Sequence, residues 1–180
     1  MKLKHYNLVQ LYAVSRDDAG NAILVQEQME SGSLIDYLID YVRPLADDED
    51  SEEASFSSLL SWSLQIARGM AHLQRLDIVH RDLATRNVLL DENKIAKVAD
   101  FGMALTNSQP IEVCDYLCVR WTSPEAIFDK QFSSASDVWS FGLTLWEIFT
   151  MGDKPSKDMG IKEYIKKLRT DNETKKNNST

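Results

Sequence analysis

The 180-residue sequence predicts an α+β fold, with one β-hairpin near its start and a mainly helical body behind it. Three observations lead there. Two apolar runs, Leu8 to Val14 and Ala22 to Val25, flank the turn-forming stretch Asp17-Asp18-Ala19-Gly20-Asn21, the pattern of a hairpin. Trp62, Ile66, Gly69/Met70 and Leu73 recur at the spacing of one helix face, which predicts a long helix over 55–75. Between Ser134 and Thr150, Val138, Trp139, Phe141, Leu143, Leu145, Trp146, Ile148 and Phe149 fall on every side of a helix, which predicts burial all round.

The remaining elements follow in order. Ser33-Leu34-Ile35-Asp36 has the form of a capping box with Asp in place of Glu. It opens a helix to about Val42, which Pro44 closes. An acidic insert over 46–54 holds Asp47-Asp48-Glu49-Asp50-Ser51-Glu52-Glu53 and reads as a solvated surface loop. Ile78-Val79, Val88-Leu89-Leu90 and Ile95 to Ala99 are short strands, so the loops between them hang from a rigid body. Ile161, Tyr164, Ile165 and Leu168 mark a last amphipathic helix. The tail 170–180 is polar and low in hydrophobic residues, the composition of a disordered end.

Composition narrows the function classes. With 43% hydrophobic and 27% charged residues the chain can bury one globular core. A net charge of −8 and a pI of about 4.9 argue against a nucleic-acid partner. Cys114 and Cys118 stand four apart with no partners at zinc spacing, so they read as free thiols of a reducing, cytoplasmic compartment. No apolar run reaches the ~18 residues of a membrane span.

The chemistry sits in two loops. His80-Arg81-Asp82-Leu83-Ala84-Thr85-Arg86-Asn87 is followed, thirteen residues after Asn87, by Asp100-Phe101-Gly102. One carboxylate, Asp82, can orient an attacking hydroxyl and take its proton. Asn87 and Asp100 offer the oxygen ligands that a hard cation such as Mg²⁺ wants. That set is the one phosphoryl transfer needs.

Both motifs resemble those of protein tyrosine kinases. The resemblance covers about residues 3–168 and implies a protein-kinase-like fold, mainly the helical large lobe with a remnant β-hairpin of the small lobe. It implies a partial kinase domain over 1–169, with small-lobe remnant and hinge at 1–29 and large lobe at 30–169, ATP and Mg²⁺ as cofactors, and proteins bearing tyrosine acceptors as substrates. By the same resemblance Gln26 is the gatekeeper, the backbones of Glu27 and Met29 bind adenine, and Leu89 floors the adenine pocket, with plain core packing as its alternative reading. Phe101 orients Asp100, Asp137 ties down the catalytic loop, and Arg81 pairs with a phosphorylated activation loop. The only tyrosine of that loop, Tyr116, stands later than the usual phosphorylated one and reads as either a regulatory site or a packing aromatic. Serine/threonine kinases carry Lys where this chain has Ala84. Arg86, four residues after Asp82, and Val119-Arg120-Trp121 follow the tyrosine-kinase pattern. His80 reads as a core hydrogen-bonding residue rather than a base.

The 180 residues contain no Gly-x-Gly-x-x-Gly, and no Val-Ala-Ile-Lys-like segment precedes Val9. The chain alone is therefore expected to transfer phosphate weakly or not at all. A hairpin without sheet partners invites association through its open edge. A location on the cytoplasmic side of a receptor is equally compatible. The alternative is a non-catalytic, kinase-like interaction protein. The absent Lys favours it, and the intact Asp82, Arg86, Asn87 and Asp100 oppose it.

Overall fold

A computed structural model describes residues 3–46, 55–106 and 118–177. The hairpin is present as β1 (Leu11–Arg16) and antiparallel β2 (Ala22–Gln26), with Val14 opposite Leu24. Asp17 closes its turn. The Asp17 carboxylate accepts from the Asn21 amide at 2.7 Å, and Gly20 supplies the left-handed residue at φ 86°. Both strands are exposed along their whole length.

Ser33 caps α1 (Leu34–Tyr37) by accepting from the Asp36 amide at 3.2 Å. The helical path does not stop at Val42 as expected. It widens to a π turn over Leu38–Val42 and tightens to a 3-10 turn over Arg43–Leu45. Pro44 lacks an N–H, so an α turn there would leave a carbonyl unpaired, and the change of helix type accommodates it. The acidic run 47–53 lies outside the described residues.

Ser55 caps α2 (Phe56–Arg75), which buries Leu59, Trp62, Ile66, Gly69 and Leu73, the face the periodicity marks. Against it lie β4 (Val88–Leu90) and β5 (Ala96–Val98), an antiparallel pair with Leu89 opposite Lys97. β3 (Ile78–Val79) pairs with β6 (Leu105–Thr106). The N-terminal segment docks on this layer. Val9 donates to the Val98 carbonyl at 2.9 Å, and Asn7 and Leu8 pass so close to Gly69 that a Cβ there would meet the Asn7 carbonyl oxygen at 2.7 Å. Leu8, Leu34, Leu38, Ile66, Leu73, Leu83, Leu90 and Ile148 make the centre of one core.

α3 (Pro124–Phe128), α4 (Ser134–Phe149) and α5 (Ile161–Asn177) complete the body. Two expectations fail here. α4 is not buried all round: Val138, Trp146 and Phe149 are exposed, while Ser136, Asp137, Ser140, Thr144 and Glu147 are buried. The helix turns its polar stripe inward because the loops above it present backbone N–H groups that need acceptors. The tail is not disordered from Thr170. α5 continues to Asn177, with the Thr174 hydroxyl bonding back to the Thr170 carbonyl at 2.9 Å. Low hydrophobicity removes a packing face, but a solvated turn can still extend a helix that Tyr164 and Leu168 hold down. Residues 178–180 lie outside the described residues.

Candidate active site

The octapeptide folds between β3 and β4 as an extended loop ending in a 3-10 turn over Thr85–Asn87. Its backbone is held from below. Asp137 of α4 accepts from the His80 amide at 2.8 Å through Oδ2 and from the Arg81 amide at 3.0 Å through Oδ1. Those bonds hold Arg81 at φ 72°, a left-handed conformation that a bulky residue avoids by about 1–2 kcal/mol. Burial raises the Asp137 pKa, opposed by the two backbone hydrogen bonds. His80 is fully buried and acts as a brace. Its Nδ1 accepts from the Asp82 amide at 3.3 Å, and its Nε2 lies 2.9 Å from the Ala99 carbonyl. With Nδ1 accepting, Nε2 is the nitrogen left to donate to the Ala99 carbonyl.

Asp82, Arg86 and Asn87 converge. Arg86 Nη2 pairs with Asp82 Oδ1. Asn87 Nδ2 donates to Asp82 Oδ2 at 2.8 Å and to the Asp82 carbonyl at 2.7 Å. Both carboxylate oxygens are therefore oriented, and the side chain keeps 16% of its surface exposed. With its Nδ2 committed to Asp82, the Asn87 amide turns its oxygen away from the carboxylate. The Ala99 amide donates to the Asn87 carbonyl at 2.8 Å, which brings the next residue, Asp100, alongside. Asp100 is exposed at φ 57°, and its Oδ1 accepts from the Gly102 amide at 3.3 Å. The Phe101 ring packs edge-on against His80 with centroids 5.5 Å apart.

Asn87 and Asp100 fit Mg²⁺. They bring one amide and one carboxylate oxygen, and Mg²⁺ typically takes one or two carboxylates with water and phosphate completing its shell. No group of three His, Cys, Asp or Glu able to hold a metal occurs among the described residues.

Glu27 and Met29, expected on the adenine side, lie where β2 leaves the hairpin. The Glu27 amide donates to the Gln10 carbonyl at 2.8 Å, so a base contact at Glu27 falls to its carbonyl. The Met29 carbonyl accepts from Gly32 at 3.3 Å, so a contact there falls to the amide. Leu89 is half-buried between the buried Val88 and Leu90.

Sequence reasoning missed several members. The Glu27 carboxylate pairs with Lys97 Nζ and accepts from the Gln10 amide at 3.1 Å, tying the hinge to the strand that leads to Asp100. Glu147 is buried and accepts from the Thr85 amide at 3.0 Å and from Trp121 Nε1 at 2.9 Å, both through Oε2. Its pKa is raised, by burial first. The signal was available: Asp137, Ser140, Thr144 and Glu147 stand three, four and three apart, one polar stripe on an otherwise apolar helix. Cys118 lies beside Asp82 and Arg86, and burial, then the Asp82 charge, pushes its thiol up. Arg120 donates to the carbonyls of Pro155, Ser156 and Met159, locking the segment 118–123 to the approach of α5. Arg81 stacks on Phe132 at 4.4 Å. Tyr116 lies outside the described residues.

Comparisons with known proteins identify the family. The protein tyrosine and serine/threonine kinase family matches residues 1–180. Megakaryocyte-associated tyrosine-protein kinase of Mus musculus is 41% identical over 162 residues, covering 90% of this chain and 30% of the relative. Tyrosine-protein kinase csk-1 of Caenorhabditis elegans is 41% identical over 166 residues, covering 91% and 29%. Tyrosine-protein kinase Src64B of Drosophila melanogaster is 40% identical over 171 residues, covering 93% and 29%. The chain thus spans about a third of the length of the curated relatives it matches. From its motifs, its site geometry and these matches, the chain belongs to the protein tyrosine and serine/threonine kinase family.

Proposed function

We propose that these residues form the acceptor side of a protein tyrosine kinase, which transfers the γ-phosphoryl group of ATP to tyrosine hydroxyls of proteins. The observation that carries this is the Asp82 carboxylate, held by Arg86 on one oxygen and Asn87 on the other. Asp82 orients the tyrosine O–H and accepts its proton as the oxygen bonds to phosphorus and the bond to the ADP oxygen breaks. Arg86 keeps a permanent positive charge where negative charge spreads over the transferring group. Asn87 and Asp100 would hold Mg²⁺, which neutralises the phosphate charge when bound. The Glu27 carbonyl and Met29 amide would receive the adenine edge above Leu89. No helix among the described residues is long and apolar enough to cross a membrane, and we place the reaction in the cytosol, where ATP and reduced thiols coexist.

Tyrosine as acceptor rests on Ala84 and Arg86 together, since the wider family includes serine/threonine kinases. The test is a domain exchange, in which this chain replaces the matched 162-residue stretch of the mouse relative. Phosphoamino-acid analysis of a mixed peptide library should return phosphotyrosine. Phosphoserine or phosphothreonine as the main product would refute the acceptor assignment.

A further inference from the structure

The buried carboxylate of Glu147 stands outside the proposed chemistry, yet it meets both halves of the site. Its Oε2 accepts from the Thr85 amide of the catalytic loop and from the Trp121 indole of the acceptor-supporting segment, partners 62 and 26 residues away in sequence. The face of Trp121 lies 4.8 Å from the Arg86 guanidinium, and Arg86 pairs with Asp82. A second bond from α4 fixes the same segment, the Ser140 hydroxyl donating to the Trp121 carbonyl at 2.8 Å. A charged buried group with two hydrogen-bond donors is costly to place unless it holds something in register.

We propose that Glu147 is a positioning residue that registers the acceptor-supporting segment against the catalytic loop, setting Arg86 over the Trp121 ring and through it the aim of Asp82. The inference rests on the tyrosine-kinase assignment for its functional meaning, but its structural half stands apart from activity. A displaced Glu147 lets Trp121 and Arg86 move relative to Asp82, which misplaces the acceptor without touching the adenine contacts at Glu27 and Met29.

The experiment uses the 180-residue chain labelled with 5-fluorotryptophan. Trp62, Trp121, Trp139 and Trp146 each give one ¹⁹F resonance, and Trp121→Phe identifies the relevant one. Glu147→Gln and Arg86→Lys should each shift the Trp121 resonance while Trp62 stays put. Glu147→Asp, which keeps the charge but withdraws the carboxylate, should do the same and serves if Glu147→Gln does not fold. A Trp121 resonance indifferent to Glu147 or to Arg86 overturns the proposal. In the domain-exchange protein, Glu147→Gln should lower kcat for a tyrosine peptide about 10²-fold, the scale of an ångström-sized misplacement, with KM for ATP unchanged. An equal loss of ATP affinity would mean a merely structural role and would also overturn it. If the exchange protein phosphorylates no tyrosine at all, the functional assignment fails while the ¹⁹F result still decides the register.

Discussion

Asp137→Asn tests how α4 supports the catalytic loop. The wild-type carboxylate accepts two buried backbone N–H groups, those of His80 and Arg81. The asparagine keeps one acceptor oxygen and turns a donor toward the other N–H. Leaving one buried donor unpaired costs about 1–3 kcal/mol, and changing the surviving bond from a charged to a neutral acceptor costs about 1 kcal/mol more. Relief from burying a charge, which the raised Asp137 pKa reports, offsets part of this. The net expectation is a loss of about 2–3 kcal/mol against a typical domain stability of about 5–15 kcal/mol. Urea unfolding gives the total. Amide hydrogen exchange locates it, with His80 and Arg81 accelerating far more than β1 and β2. A change under about 0.5 kcal/mol with unaltered exchange at both amides would refute the support role.

Further expectations follow from the same contacts. Gly69→Ala gains up to about 1 kcal/mol of helix propensity. It also drives a Cβ to 2.7 Å from the Asn7 carbonyl oxygen, so thermal melts should show net destabilisation. Glu147 has a folded pKa raised above its unfolded value, so its contribution is fully present below the ordinary Glu range and is lost as pH rises through the folded value. Glu147→Gln should flatten that part of the stability–pH curve. His5 behaves in the opposite sense: burial first, then His72 and two arginines lower its pKa, so its contribution is lost as pH falls from about 6.5 through the folded value. His5→Asn, which can still accept from the Asn7 amide, should remove that dependence in pH-resolved urea melts. Val14→Lys with Leu24→Lys, on exposed apolar positions of the hairpin, should lower concentration-dependent association in sedimentation velocity.

The elements were legible where their signal is local. A 3.6-residue apolar period set α2 within a residue. The turn formers at 17–21 set the hairpin register. The clustering of Asp82, Arg86 and Asn87 was legible for the same reason: they sit within six residues, so one loop brings them together. What was hidden depends on distance along the chain. Glu27 and Lys97 are 70 residues apart, and Glu147 reaches Thr85 across 62. The polar stripe on α4 marks Glu147 as an inward residue but does not name Thr85, and the segments around Glu27 and Lys97 carry no such mark. α4 was misjudged because apolar residues on all sides suggest burial, whereas its orientation is decided by the polar stripe that serves the loops above. The tail was misjudged because sparse hydrophobicity speaks against packing, not against one more turn of helix.

The most direct test is the rate of γ-phosphoryl transfer to a tyrosine peptide by the domain-exchange protein, with Asp82 intact and as Asp82→Asn, at saturating Mg²⁺ and ATP. Asparagine keeps the shape and cannot accept the proton. The rate should fall by about 10²–10⁴-fold, the range of a positioned general base, with nucleotide affinity retained. Equal rates from the two proteins would contradict the assignment of Asp82 as the base.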